Sequence, residues 1–319
     1  MPAPAVAPPA GLDSDSTQDV HFGMDLPTAR TSLTHSEHQR VAEAARCIGE
    51  NGTLADLGSL IRCADSTTDD RVRRACNEAI TSLILENLLT RYNEMPSATR
   101  EKLGSIMQAL DPGIIDGIAT ELYSDNDERR LRAVQILGLL RRHPKVREVL
   151  GKLVQDRDEM IRATAINLLG KYVGPNDHEY ILSLLRDEDK RVRANTIEAL
   201  EGLGNRRLIP ILIRFRKDPS NRIRGNVLKA LYNLGHQDIV EDLVGMLTSK
   251  DNFMIASALW VISQTKVTTP ELEDRCAKTL ISNDEMVTRN ARNALRALNT
   301  PRAQGYLRYL DEEPLPGAA

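Results

Sequence analysis

The chain matches itself at an offset of 31 residues, most clearly between Asp156 and Gly235. Ile161-Arg162 falls on Val192-Arg193 and then on Ile223-Arg224. Leu168-Leu169 falls on Ala199-Leu200 and Ala230-Leu231, and Asp156 on Asp187 and Asp218. Self-similarity at a period of this size marks a stack of supersecondary units, none of which buries its apolar face alone. Inside each unit the apolar residues recur at helical spacing. The expected class is therefore all-α, a linear solenoid that grows by adding repeats.

Length then counts repeats rather than globular domains: 319 residues, of which 41% are apolar. Aromatic residues make up only 3%, so the core is expected to be Leu, Ile, Val and Ala. The helical period begins at Ser36. A recurring signature (apolar, Arg, two residues, small, two residues, two apolar) anchors first helices near Val41, Arg73, Arg100, Arg130, Arg162, Arg193, Arg224, Ile255 and Thr288. Second helices are expected at 53–63, 114–123, 145–155, 178–186, 208–217, 239–247 and 270–280. Gly174, Gly204 and Gly235 stand where a left-handed residue ends a first helix. The reading is an α-solenoid with about 8–9 helical pairs over residues 35–310. Residues 70–95 lack a clear breaker and read as one long helix or two tightly joined ones. Residues 1–34, rich in Pro, Ala, Asp, Ser and Thr, read as a disordered tail with a small apolar island at His21–Pro27. Residues 311–319 read as a second, acidic tail.

Asp69, Asp158 and Asp189 precede Arg73, Arg162 and Arg193 by four residues. Asn126 and Ser220 stand at the same offset from Arg130 and Arg224. Asp, Asn and Ser cap helix N-termini, and an Arg one turn on lies on the same edge of the helix. The expectation is a structural ladder, the Arg of one repeat reaching the Asp of its neighbour.

This spacing of Asp, Val-Arg, Ala and Ala-Leu-Gly resembles HEAT repeats, in the short variety named after phycobilisome lyases. The resemblance runs from Ser36 to about Leu310 and is fullest from Asp125 to Gly235. It implies a right-handed α-solenoid, a HEAT/armadillo-type superhelix, curved with first helices on the convex side and second helices on the concave side, and a scaffold's task. It is specific for fold and unspecific for function.

Enzymatic readings find little support. The deoxyhypusine hydroxylases of this repeat class hold iron with several His-Glu dyads. Here one dyad, His178-Glu179, has no counterpart at Arg147-Glu148, Ile209-Pro210 or Val240-Glu241, and a metal needs converging ligands. His35, Glu37 and His38 lie at the edge of the tail. Ser263-Gln264-Thr265-Lys266 matches SxxK without its companion motifs, and no Walker loop, nucleophile elbow or HExxH is present. No catalytic residue, cofactor or metal is expected. Cys47, Cys63, Cys76 and Cys276 show no metal spacing and read as reduced thiols. The N-terminus lacks a signal-peptide pattern, and no apolar run is long enough to span a membrane, so a cytoplasmic setting is expected.

Two stretches depart from the repeat average. From Asp127 to Tyr232 there are 23 Lys and Arg against 14 Asp and Glu, in a chain of net charge −3. Lys152, Arg186, Arg214 and Lys217 fall on polar positions of second helices, a basic stripe suited to an acidic protein segment or a nucleic-acid backbone. The second departure is Trp260, the one tryptophan, on a helix that is apolar nearly all round. Its register counterparts are Glu78, Ser105, Gln135, Asn167, Glu198, Lys229 and Asn293. Trp260 with Phe253 and Met254 is expected to form an apolar patch, covered by the chain's own tail, a second copy or another protein. The function expected is a non-catalytic scaffold holding a protein partner. The alternative is a nucleic-acid binder, for which aromatic residues are few.

Overall fold

The structure is a computed structural model that describes residues 24–140, 143–172, 174 and 178–312. The described residues form helices, turns and short 3-10 segments, without a strand. They divide into two compact units, the first reaching to Arg91 and the second starting at Tyr92, with Ala109–Pro112 belonging to the first.

The first unit holds α1 (Leu26–Ser32), α2 (His38–Asn51), α3 (Leu57–Ser66) and α4 (Asp70–Arg91). Its α4 settles the open question over residues 70–95: one helix of 22 residues, followed by a 3-10 turn and α5 (Ser97–Leu110). No second helix intervenes, which is why the repeat interval shortens there.

α1 shortens the tail read over residues 1–34, since Leu26–Ser32 form a helix. Asp25 caps it by accepting from the Thr28 N–H at 2.8 Å, and Ala29 and Leu33 are buried. Arg30 clasps Asp56 through Nε at 2.7 Å and Nη2 at 2.9 Å. The Met24 carbonyl accepts from Cys47 Sγ on α2. Two buried apolar side chains, one cap and one ion pair suffice to order a short helix against a finished surface. Residues 1–23 and 313–319 lie outside the described residues.

The second unit continues with α6 (Ile114–Leu122), α7 (Asp127–Leu137), α8 (Val146–Leu153), α9 (Glu159–Leu169), α10 (His178–Ser183) and α11 (Lys190–Gly202). It is completed by α12 (Ile209–Leu212), α13 (Asn221–Asn233), α14 (Val240–Leu247), α15 (Asn252–Thr265), α16 (Pro270–Lys278), α17 (Glu285–Leu298) and α18 (Pro301–Glu312). The odd-numbered members from α7 to α17 pack side by side as a layer of first helices, and the even-numbered ones return between them. Ile161, Val192 and Ile223, 31 residues apart, are all buried. Each such side chain withdrawn from water contributes about 2 kcal/mol. α18 runs to Glu312, two residues past the expected end of the repeats.

One turn opens each first helix of the second unit from α7 onward. The side chains of Ser124, Asp156, Asp187, Asp218, Ser249 and Ser282 each accept the N–H two residues on, at 2.8–3.2 Å. That second residue then caps the helix: Asn126, Asp158, Asp189, Ser220, Asp251 and Asp284 all accept from N–H groups of the first turn. Helix N-termini leave N–H groups unpaired, and here both side chains satisfy them. The signature Arg closes the turn from the other side. Arg162, Arg193 and Arg224 donate to the carbonyls of Asp156, Asp187 and Asp218, each six residues back, at 2.9, 2.8 and 3.1 Å. In the first unit Thr67, Asp69 and Arg73 repeat the arrangement. α17 lacks the Arg, and Thr288 Oγ1 makes the same bond to the Ser282 carbonyl.

The ladder differs from expectation in its acceptors. Arg162 spans to Asp187 of the next repeat with two bonds, Nε to Oδ2 at 2.8 Å and Nη2 to Oδ1 at 2.9 Å. Arg130 reaches Asp156 at 3.1 Å. Asp158 and Asp189 do not receive these arginines, because the N–H groups of their own helices occupy them. Arg191 and those amides hold the Asp189 carboxyl below the usual carboxylate range. Asp69 is held low by Arg71, with His38 also bonded to it. Arg193 and Arg224 brace their own turns; position 249 is Ser, so Arg224 meets no acid there.

Left-handed residues end first helices at a regular spacing: Gly204 (φ 63°), Gly235 (φ 93°), Lys266 (φ 55°) and Asn299 (φ 53°). A Cβ at Gly204 would meet open space, whereas one at Gly235 would run into the Arg206 guanidinium, which donates to the Leu234 carbonyl at 3.0 Å.

Two stability measurements follow from this geometry. Asp187→Ala takes the partner of Nε and Nη2 from a largely buried guanidinium and the acceptor from the Asp189 N–H, and is expected to cost about 2 kcal/mol, against about 1 kcal/mol for the cap substitution Asp158→Ala. Equal losses in denaturant melts would show that the ladder adds nothing to capping. Gly204→Ala is expected to cost about 1 kcal/mol for its left-handed backbone, and Gly235→Ala distinctly more. The reverse order would refute the Arg206 contact.

Candidate interaction surfaces

The cations expected as a stripe sit on successive second-helix segments of the second unit. Lys152, in the last turn of α8, is engaged: its Nζ lies 2.8 Å from Glu148 Oε1, one turn earlier. Lys152 holds the Glu148 carboxyl below its ordinary value. Arg186 closes the 3-10 turn after α10, Arg214 lies in the one after α12, and Lys217 follows three residues later. These three are exposed, and no ion pair is recorded for them among the described residues. Their neighbour Arg216 is structural, donating from Nε to Asp242 Oδ2 at 2.7 Å and from Nη2 to the Asp238 carbonyl at 2.8 Å. A run of four residues thus separates into one strut and two open charges.

α15 carries no charged side chain from Asn252 to Thr265. Ala256, Ala258, Leu259, Val261 and Ile262 are buried. Phe253, Ser257 and Trp260 lie at helical spacing on the face that also bears Ala256, and together they floor a groove of about 370 Å³. α13 walls it with Asn221, Arg222, Gly225 and Asn226, and α17 with Met286 and Asn290. Phe253 is 63% exposed. Trp260 is half-buried, with Lys229 Nζ 5.4 Å from its ring centroid, a cation over the electron-rich face. Lys229 is itself paired with Glu201 at 3.1 Å. Met254 leaves the expected patch: one residue round from Phe253, it turns to the core and is 7% exposed.

The walls are polar and largely fixed. Asn221 Nδ2 donates to Ser257 Oγ at 2.8 Å, and Arg222 to Asn195 Oδ1 at 2.7 Å. Beneath them, buried Asn195 and Asn226 donate to the carbonyls of Ala163 and Ala194, joining α9, α11 and α13. Sequence reading missed this pair, although an Asn recurring 31 residues apart among small residues is the signal. It also passed over the exposed Arg289 and Arg296 of α17.

The histidines and cysteines fill structural places. His38 Nδ1 lies 3.0 Å from Asp69, and His35 Nδ1 accepts the Glu37 N–H. Among the described residues no group of three or more His, Cys, Asp and Glu is arranged to hold a metal. The side chains of His178 and Glu179 lie outside the described residues. Ser263 donates to the Trp260 carbonyl at 2.7 Å and Lys266 is a left-handed helix end, so the SxxK string is a helix terminus. Burial pushes the Cys276 thiol up to about 12, and burial beside Cys63 pushes Cys76 up to about 12. No helix of the described residues is long and apolar enough to cross a membrane.

A family model described as HEAT repeats matches residues 115–181 and 178–263. The chain is similar in fold to the crystal structure of Kap121p, with 15% identity over 90% of this chain and a TM-score of 0.46. Two multiply substituted forms of Kap121p give 14% identity over the same 90%, with TM-scores of 0.47 and 0.48. The chain spans 38% of the length of those structures. No curated protein matches the chain.

Thiol reactivity tests the burial. At pH 8 native Cys76 and Cys276 should resist alkylation for hours, since the thiolate is the nucleophile, while half-buried Cys47 reacts first. Mass-spectrometric peptide mapping that finds Cys276 alkylated as fast as Cys47 would contradict the packing around it.

Proposed function

We propose that this chain, which carries HEAT repeats over residues 115–263, is a non-catalytic scaffold that holds a protein partner. The reading rests above all on the outward face of α15. Trp260 occupies a position where other first helices carry polar side chains such as Glu198, Lys229 and Asn293, and Phe253 one where α13 carries Arg222. A large aromatic side chain left half in water at a groove floor gains about 2 kcal/mol when a partner covers it, and such residues dominate interface energetics. A rigid stack of helices adds the second requirement, since little ordering entropy opposes docking on a preformed surface. The open cations Arg186, Arg214 and Lys217 supply complementarity to an acidic protein on the second-helix side. A cytoplasmic setting accords with four unpaired thiols.

A second reading, nucleic-acid binding through the basic central repeats, is favoured by the net +9 between Asp127 and Tyr232. Against it stand the internal engagement of Lys152, Arg162 and Arg216 and the scarcity of exposed aromatics for base stacking.

A cross-linked pull-down separates the two. Trp260→Glu is expected to lower capture of the protein partner at least tenfold, with Arg214→Glu/Lys217→Glu having a smaller effect. Capture unchanged by all three substitutions would end the scaffold reading. Duplex and single-stranded DNA should show no binding at physiological salt; binding that falls steeply with salt and with Arg214→Glu/Lys217→Glu would establish the second reading instead.

A further inference from the structure

The groove on α15 borders a set of charges for which no ion pair is recorded among the described residues. α17 packs directly against α15 and lends Met286 and Asn290 to the groove wall. Arg289 and Arg296 stand three and ten residues beyond Met286, on the outward face of the same helix, and both are exposed. Arg292, half-buried, lies on the far flank. No ion pair is recorded for any of the three among the described residues, and the one acid within α17 is Glu285, in its first turn. α15 contributes no charge at all. On the opposite wall Arg222 is balanced by Glu198 at 3.7 Å, and Lys229 by Glu201. The groove therefore has an apolar floor, one neutral wall and one wall edged with uncompensated positive charge.

We infer that the groove takes a short acidic protein segment carrying one large apolar anchor residue. The anchor enters between Phe253 and Trp260, and an Asp or Glu within a turn of it meets Arg289 and Arg296. This rests on the scaffold reading and gives that partner's chemistry. The recess of about 370 Å³ has room for one or two side chains, at the lower end of ligand-pocket sizes. Gly225 and Ala256 keep it open by contributing no bulk. The guanidinium groups favour carboxylates because they bind them with two parallel donors. A basic segment would instead be repelled along the α17 edge, so the same charges set specificity as well as attraction.

Selection of a random 12-residue display library on the full chain tests this. The enriched peptides are expected to hold an aromatic or aliphatic residue flanked by Asp or Glu. A synthesised winner without tryptophan should change the emission of Trp260, the sole tryptophan, saturably. Its affinity should fall at least tenfold in Arg289→Glu/Arg296→Glu and again at high salt. Circular dichroism confirms the fold of that variant, with Arg289→Ser/Arg296→Ser as the milder substitute. Enriched peptides that are neutral or basic, or that bind the variant equally, overturn the inference while leaving the scaffold reading to its own pull-down. An empty selection also overturns it. So does sedimentation showing that Trp260→Glu dissolves a dimer, because a second copy would then be the occupant.

Discussion

Every first helix of the second unit from α7 onward begins at a turn whose polar groups satisfy one another, and the stack depends on that turn. A side chain at its first position accepts the N–H two residues on, the next side chain caps the helix, and in most repeats an Arg or Thr ties back to the carbonyl of the first position. Unpaired backbone groups at the start of a half-buried helix are costly. Meeting them within five or six residues lets each repeat fix its own starting point without help from a distant element. The aliphatic side chains that follow then arrive at the same depth in every repeat, as Ile161, Val192 and Ile223 do.

This arrangement also decides which charges face outward. Arg130 and Arg162 are absorbed by Asp156 and Asp187, and Asp158 and Asp189 by their own helices. A count of basic residues in the central repeats therefore overstates the positive surface offered to a partner. Open charges remain, among them Arg186, Arg214 and Lys217 beside the second helices of those repeats and Arg289 and Arg296 on α17. The repeat built on α15 gives up the signature Arg altogether. Its outward stripe of Phe253, Ser257 and Trp260 is where the stack stops serving its own stability and presents an apolar recess.

The nine anchor positions read from the sequence all fall inside first helices, from Val41 in α2 to Thr288 in α17. The reason is that capping and apolar spacing act over one or two turns, so they are visible in a linear string. The same locality explains the misses. α1 is too short to declare itself by period; it forms because Arg30 finds Asp56 and Ala29 finds α2. Met254 and Phe253 are adjacent apolar residues with opposite fates, separated by a 100° turn whose phase depends on what packs below.

The sequence by itself determined the helical class, the 31-residue period, an anchor residue inside each first helix and the apolar character of α15. Those are properties of neighbours along the chain. Only the tertiary structure decided which Asp receives which Arg, that α1 docks on α2, that Met254 is buried, and that Trp260 shares a groove with Met286 and Asn290 of α17. Such pairings join side chains some 25 to 36 residues apart, through the rotation and height at which one repeat settles on the next, and no local pattern encodes that geometry.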